Sequence, residues 1–233
     1  MLPAIFLLEP RKQQIMQNAL ELYWTLRMEK CRTALVKNNF EAFVAADTGA
    51  AQEIILREIL PRLEVRTVSW GDSLSMRATG ILEVMENRQD IDLIKTFEQG
   101  VDREVIIERR RQALLADLFF TGTNALTECG KLVNLDMVGN RVAALTFGPR
   151  HVVVVVGRNK IVRDLDEAMQ RIKTYAAPVN AIRHPGLKTP CVKTASCTDC
   201  NSPDRICNTW TITEKSFPKD RVKVILVNQD VGL

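Results

Sequence analysis

No stretch of this chain stays apolar long enough to cross a bilayer, and neither sign of charge dominates it. The opening, Met1 to Leu8, is apolar but carries no basic residue and is interrupted at Glu9, so it reads neither as an export signal nor as a membrane span. Lysine and arginine number 32 against 28 acids, a formal +4, with the two signs interspersed. That excess is too small to argue for nucleic acid. The one dense basic run, Arg109-Arg110-Arg111, follows Glu104 and Glu108 in a helix-like stretch and reads as a solvated face. Histidine is scarce: His151 and His184 lack a ligand-like pairing, and His151 opens a strand, a structural position. There is no internal repeat, no low-complexity linker and no nucleotide-binding signature. Without an export signal the expected compartment is the cytoplasm, where thiols stay reduced and clustered cysteines favour metal or redox chemistry over disulfides. The apolar opening is expected to pack as an arm on the body or on a second copy, which allows a homodimer.

What is present is an ordinary globular balance, 46% hydrophobic and 26% charged over 233 residues, enough for a sizeable core. Residues 10 to 37 have the spacing of a long amphipathic helix, with Ile15, Ala19, Leu22 and Leu26 on one stripe and Met16, Leu20 and Tyr23 beside it. A strand is expected from Phe40 to Ala46, a helix from Ala50 to Leu60 that ends at Pro61, a strand from Leu63 to Trp70, then the turn Gly71-Asp72-Ser73 and another helix. That rhythm predicts an α/β fold: an open, mostly parallel sheet with helices on both faces and an N-terminal helix. Arg103 to Leu118 reads as helix and Lys131 to Leu135 as strand, while Val142 to Phe147 suits either. The five valines after His151 suit a strand buried on both faces. Asp164 and Glu167 form a capping-box-like pair for a helix expected to stop before Pro178. Residues 184–210 are polar and irregular, and so long a loop is usually functional or held by a ligand. The organisation expected is an arm and helix over 1–38, then one domain over 39–233 that carries the cysteine-rich loop.

Four cysteines of that loop, Cys191, Cys197, Cys200 and Cys207, fall within seventeen residues with the spacing C-x5-C-x2-C-x6-C. Two thiolates three residues apart can point at one ion or one cluster edge, so the four are candidate ligands for zinc or for an iron–sulfur cluster. The spacing is not that of the common ferredoxins, and it leaves the two alternatives open. Lys188, Lys193 and Arg205 flank the thiols and would offset their negative charge. Cys31 and Cys129 read as small packing residues.

The stretch Thr121 to Arg141 is dense in glycine, small hydroxyls and amides between apolar strands. Glycine lets backbone N–H groups approach an anion, and an arginine can grip a carboxylate or phosphate. Gly122, Thr123, Asn124, Thr127, Gly130, Asn140 and Arg141 are the candidate ligand-binding residues. Gly71-Asp72-Ser73 is a second possible anion cradle. Glu128 is a candidate base by position alone.

Several of these residues also carry a likeness. Thr121-Gly-Thr-Asn-Ala-Leu-Thr-Glu-Cys-Gly-Lys-Leu-Val-Asn, then Gly139-Asn-Arg-Val-Ala-Ala-Leu and Gly148-Pro-Arg-His-Val-Val-Val-Val-Val-Gly, resemble the lactate-utilisation (LUD) domain family. The resemblance continues through Ala176-Ala-Pro-Val-Asn-Ala and the segment from Pro190 to Cys207. It implies a fold similar to the sugar-phosphate isomerase and CoA-transferase superfamily. It also implies a pocket lined by Thr123, Asn124, Thr127, Gly130 and Arg141. Some members serve an iron–sulfur L-lactate oxidation system, so the resemblance implies an accessory or subunit of an oxidoreductase acting on a small hydroxy or oxo acid. Its partners would be a small anionic metabolite and a redox protein. The alternatives are a non-catalytic binding protein with structural zinc, or a transferase or isomerase on a phosphorylated or CoA-linked substrate.

Overall fold

The computed structural model describes residues 10–233; residues 1–9, with the expected arm, lie outside the described residues. The first half of the chain runs α1 (Pro10–Lys37), β1 (Glu41–Ala45), α2 (Thr48–Ile54), β2 (Thr67–Trp70), α3 (Leu74–Arg77), α4 (Ile81–Glu86), β3 (Asp92–Ile94), α5 (Arg103–Gln112) and β4 (Leu118–Gly122). The second half runs β5 (Ala125–Thr127), β6 (Leu132–Asp136), α6 (Asn140–Thr146), β7 (His151–Gly157), β8 (Ile161–Val162), α7 (Leu165–Arg171), α8 (Ala177–Ile182), α9 (Cys191–Thr194), β9 (Thr209–Thr213) and β10 (Val222–Val227).

Six strands form one wholly parallel sheet in the order β1-β10-β7-β4-β2-β3. The open α/β architecture is therefore the one the alternation of elements predicts. The valines of β7 explain its centre: side chains alternate across a strand, so Val152, Val154 and Val156 enter one core and Val153 and Val155 the other. The first core takes Met28, Cys31 and Leu35 from α1 and Ala144 and Leu145 from α6. The second takes Ile55 and Ile59 beyond α2, Met76 from α3, and Ile81 and Met85 from α4. Full burial of each such side chain contributes about 1.5–3 kcal/mol, which only a strand covered on both faces collects at every position.

A second sheet, β8-β5-β6-β9, leans on the first with mixed pairing and a small core of its own under α7. Its fourth strand, β9, falls at the end of the segment expected to be loop. One ambiguity is resolved, and one helix differs from expectation. Residues 142–147, ambiguous in sequence, belong largely to α6. The helix starting at Leu165 does not stop before Pro178: a wide turn over Ile172–Ala176 carries it into α8, with Pro178 in the first turn. The wide turn just before it accommodates a residue that has no N–H to donate.

Helix α1 departs from its expected stripe. Only Met28, Cys31 and Leu35 are buried, whereas Ile15, Leu22 and Leu26 are 62%, 58% and 63% exposed. Only the last turns of the helix meet the body. There Glu128 pairs with Arg27 at 3.0 Å and accepts from Lys30 at 2.5 Å, and these cations, Lys30 first, hold its carboxyl below its ordinary value. Gly130, at φ 80°, lets the same hairpin touch the helix: a Cβ there would lie 2.9 Å from the backbone of Ala34 and Leu35. Burial pushes the Cys31 thiol up to about 12, an inert packing residue as expected. Cys129, expected to pack, is exposed.

Candidate functional site

Beyond the carboxyl ends of β2 and β4 a cleft of about 450 Å³ opens, where parallel α/β sheets usually receive ligands. Gly122 ends β4 under the turn that follows β2. A Cβ on it would stand 2.4 Å from the Ser73 hydroxyl, so the close approach of the two strand ends requires glycine. Ser73 in turn caps α3, its hydroxyl accepting from the Met76 N–H at 3.3 Å.

Arg141, in the first turn of α6, is buried in the wall. Its guanidinium donates to Asn134 Oδ1 at 2.6 Å, Asn124 Oδ1 at 2.9 Å, the Leu135 carbonyl at 3.1 Å and the Gly122 carbonyl at 3.5 Å, with Asp136 3.7 Å away. Nearly all of its donors are thus engaged inside the protein. Arg141 fixes the strand ends and supplies positive field to the cleft, rather than offering a free fork to a ligand. Asn124 is locked in the same way, its Oδ1 also accepting from Leu135 N–H at 3.0 Å.

Among the sequence-predicted binding residues, Gly122, Thr123, Asn124, Asn140 and Arg141 line the cleft. Thr127 and Gly130 stand instead at the tip of the β5–β6 hairpin against α1, where Thr127 Oγ1 accepts from Lys131 N–H at 3.0 Å. Glu128 faces α1 beside them and is not in the cleft lining. The turn expected as an anion cradle contributes an acid: Asp72 accepts from Arg183 at 2.5 Å, with Arg77 at 3.6 Å and His184 Nε2 at 3.9 Å.

Two cleft cations were not legible as such. Arg110, in the run expected to be solvated, turns inward over the Phe97 ring at 5.0 Å while Arg109 pairs with Glu98 and Arg111 with Glu108 at 3.1 Å. Its Nε has no hydrogen-bond partner among the described residues, and burial pushes its guanidinium below the ordinary value despite the fields of Asp136 and Asp72. Lys160, in the turn after β7, is only 5% exposed. Its ammonium donates to the Thr123 carbonyl at 3.2 Å and forms no ion pair among the described residues. Burial first, then Arg171 and Arg141, pushes it down to about 7.

The far wall of the cleft comes from α8 and the cysteine segment, through Ala176, Asn180, Leu187 and Ile206. Behind Ile206, Cys191, Cys197, Cys200 and Cys207 border one small apolar cavity of about 20 Å³. Arg205 holds this segment together, donating to the Cys200 carbonyl at 2.5 Å, the Cys207 carbonyl at 3.0 Å and Asp199 at 2.7 Å. Asp199 also takes Lys173 at 3.0 Å. Burial raises the Cys207 thiol, against the lowering pull of Lys173 and Arg205. Among the described residues, no three His, Cys, Asp or Glu side chains stand in an arrangement that could hold a metal. No helix among them is long and apolar enough to cross a membrane.

No curated protein matches the chain. A solved structure similar to it is the crystal structure of a DUF162 family protein from Deinococcus radiodurans, 14% identical, covering 88% of this chain and 98% of that one, with a TM-score of 0.47. The family model described as the LUD domain matches residues 28–227, beginning where α1 first becomes buried, at Met28, and ending with β10. That match takes in the parallel sheet, the cleft and the cysteine segment together, and the chain belongs to the LUD domain family.

Proposed function

We propose that the chain binds a small hydroxy or oxo acid anion in this cleft and serves an oxidoreductase system as an accessory or subunit. One observation carries the reading: Lys160 and Arg110 face the cleft, and neither is hydrogen-bonded to a carboxylate among the described residues. A buried cation without a counter-ion is costly, and an anionic ligand relieves that cost. The family supports the choice of a lactate-like acid. Calorimetric titration with lactate and with pyruvate tests it. Arg110→Gln is expected to weaken binding by about 1.5–3 kcal/mol, roughly tenfold to hundredfold, for one charge-assisted bond. Its unfolding midpoint in urea should move by little more than the loss of the Phe97 ring contact, because the Arg110 side chain pairs with no carboxylate among the described residues. Equal affinity in the variant would remove Arg110 from the site.

A second reading has its own support. A three-carbon acid displaces the volume of only a few waters, at about 30 Å³ each, while the cleft offers about 450 Å³. A phosphorylated or CoA-linked substrate would use the remainder, and tighter binding of phosphate esters than of simple acids would select it.

For the cysteine segment we propose metal binding, zinc or an iron–sulfur cluster. The shared cavity behind Ile206, bordered by all four cysteines, supports it, and the four side chains would draw in on the bound group. In that place zinc would hold the wall of the cleft, whereas a cluster would exchange electrons with a redox partner. Cys200→Ser is expected to lower the metal content of anaerobically purified protein, measured as zinc, iron and sulfide per chain. Unchanged content would refute the assignment.

A further inference from the structure

We propose that Lys160 is the reactive amine of the cleft and forms an imine with the carbonyl carbon of a 2-oxo acid. The inference rests on the acid-binding reading above and deepens it, by separating oxo acids, which would react, from hydroxy acids, which would only bind.

The geometry around the amine supports this. Lys160 sits in the cleft lining yet is 5% exposed, and among the described residues its only hydrogen bond is to the Thr123 carbonyl at 3.2 Å. A carboxylate partner would hold the nitrogen protonated, and none is paired with it among the described residues. The charged groups that act on it are instead cations, Arg171 and Arg141. Both are fixed: Arg171 donates to the carbonyls of Asn124 at 2.8 Å and Asn159 at 3.2 Å, and Arg141 is pinned by the strand ends. Backbone closes over the amine from one side. Gly232, at φ 72°, lies so near that a Cβ there would be 3.0 Å from Lys160 Nζ and 2.4 Å from the Ser75 hydroxyl. An ordinary lysine is neutral in roughly one molecule per few thousand at pH 7. Burial and two fixed cations push this one down to about 7, so near neutral pH it stands in both charged and neutral forms, the setting in which lysines act as nucleophiles.

The step balances without an oxidant. The nitrogen lone pair attacks the carbonyl carbon, a C–N bond forms, and the carbonyl electron pair moves to oxygen, which takes a proton. The carbinolamine then loses that hydroxyl and the remaining nitrogen proton as water, leaving C=N. A carboxylate on the adjacent carbon would lie in the positive field of the same arginines. A hydroxy acid offers no carbonyl carbon, so it can occupy the site without reacting.

The test uses the full chain with pyruvate and sodium borohydride, followed by intact mass and peptide mapping, with lactate binding measured calorimetrically on the same preparation. The expected result is one reduced pyruvate adduct per chain, on the peptide containing Lys160, absent when lactate replaces pyruvate and lost in Lys160→Arg. Mapping the adduct in the unaltered protein keeps the test valid if that variant fails to fold. Adduct on another lysine, or no adduct in a preparation that binds lactate, overturns the imine and leaves the acid site standing. If neither acid binds and no adduct forms, both readings fall.

Discussion

Arg141→Ala is expected to lower folding stability by about 3–5 kcal/mol, the usual cost of removing one partner from a buried charged network. The structure gives the reason for so large a loss. Asn134 Oδ1, Asn124 Oδ1 and the Leu135 carbonyl each lose a close donor at once, and Asp136 loses its neighbouring cation. Asn134 is fully buried, so water cannot replace the missing donor without opening the wall. Arg141→Lys should recover little, since an ammonium cannot span acceptors placed for a planar fork. Urea unfolding measures the stability, and lactate titration at low temperature, where the variant is still folded, measures the site. A stability change within about 0.5 kcal/mol, the range of a surface substitution, would show that the arginine is not the post of the cleft wall.

Arg221→Ala is expected to cost about 3 kcal/mol or more, from a site far from the cleft lining. Arg221 precedes β10 and is 7% exposed. It donates to the carbonyls of Ala144 at 2.7 Å, Leu145 at 2.8 Å, and Pro149 and Phe147 at 3.0 Å. These include the carbonyls that a helix leaves without partners at its C-terminal end, here the end of α6. One side chain therefore terminates the helix whose first turn carries Asn140 and Arg141. The variant should lose amide-exchange protection throughout α6, and acid binding should weaken with it although no contact to the ligand is removed. Protection unchanged in α6 would leave Arg221 as an ordinary buried cation.

The parallel sheet was legible because its signals are local. Five valines in a row, a turn of Gly-Asp-Ser after a β-branched run, and an Asp164–Glu167 cap each say what they form without reference to distant residues. In the structure Asp164 Oδ1 accepts from Glu167 N–H at 3.0 Å and Glu167 returns to Arg163 N–H at 2.6 Å. Of the second sheet only β6 was legible, as the strand from Lys131 to Leu135; β8 has two residues and β9 starts at the end of a polar segment, and both exist through partners far away in sequence. The same distinction holds in the site. Gly122, Asn124 and Arg141 advertise themselves by composition. Lys160, in Gly157-Arg-Asn-Lys, carries no local signal, and only the tertiary fold buries it. Arg110 was hidden among two neighbours that do face solvent. The stripe on α1 was read correctly as apolar but not as exposed, since periodicity reports which residues share a face and not what covers it.

The strand order has a consequence during synthesis. β10 lies between β1 and β7, pairing Glu41 with Lys223 and Val222 with Val152. A ribosome therefore releases β1 with no neighbour in the sheet until some 180 further residues, the separation of that first pair, have been made. Until then Phe40 and the buried end of α1 have no β10 to lie on, and β7 carries an open edge of valines. The sheet closes by insertion of its late strand into a waiting gap, a high-separation step that is slow relative to local helix formation. Such a nascent chain is a natural client for a holding chaperone, and a chain stalled before residue 222 should be captured as a species with its central β-edge still open.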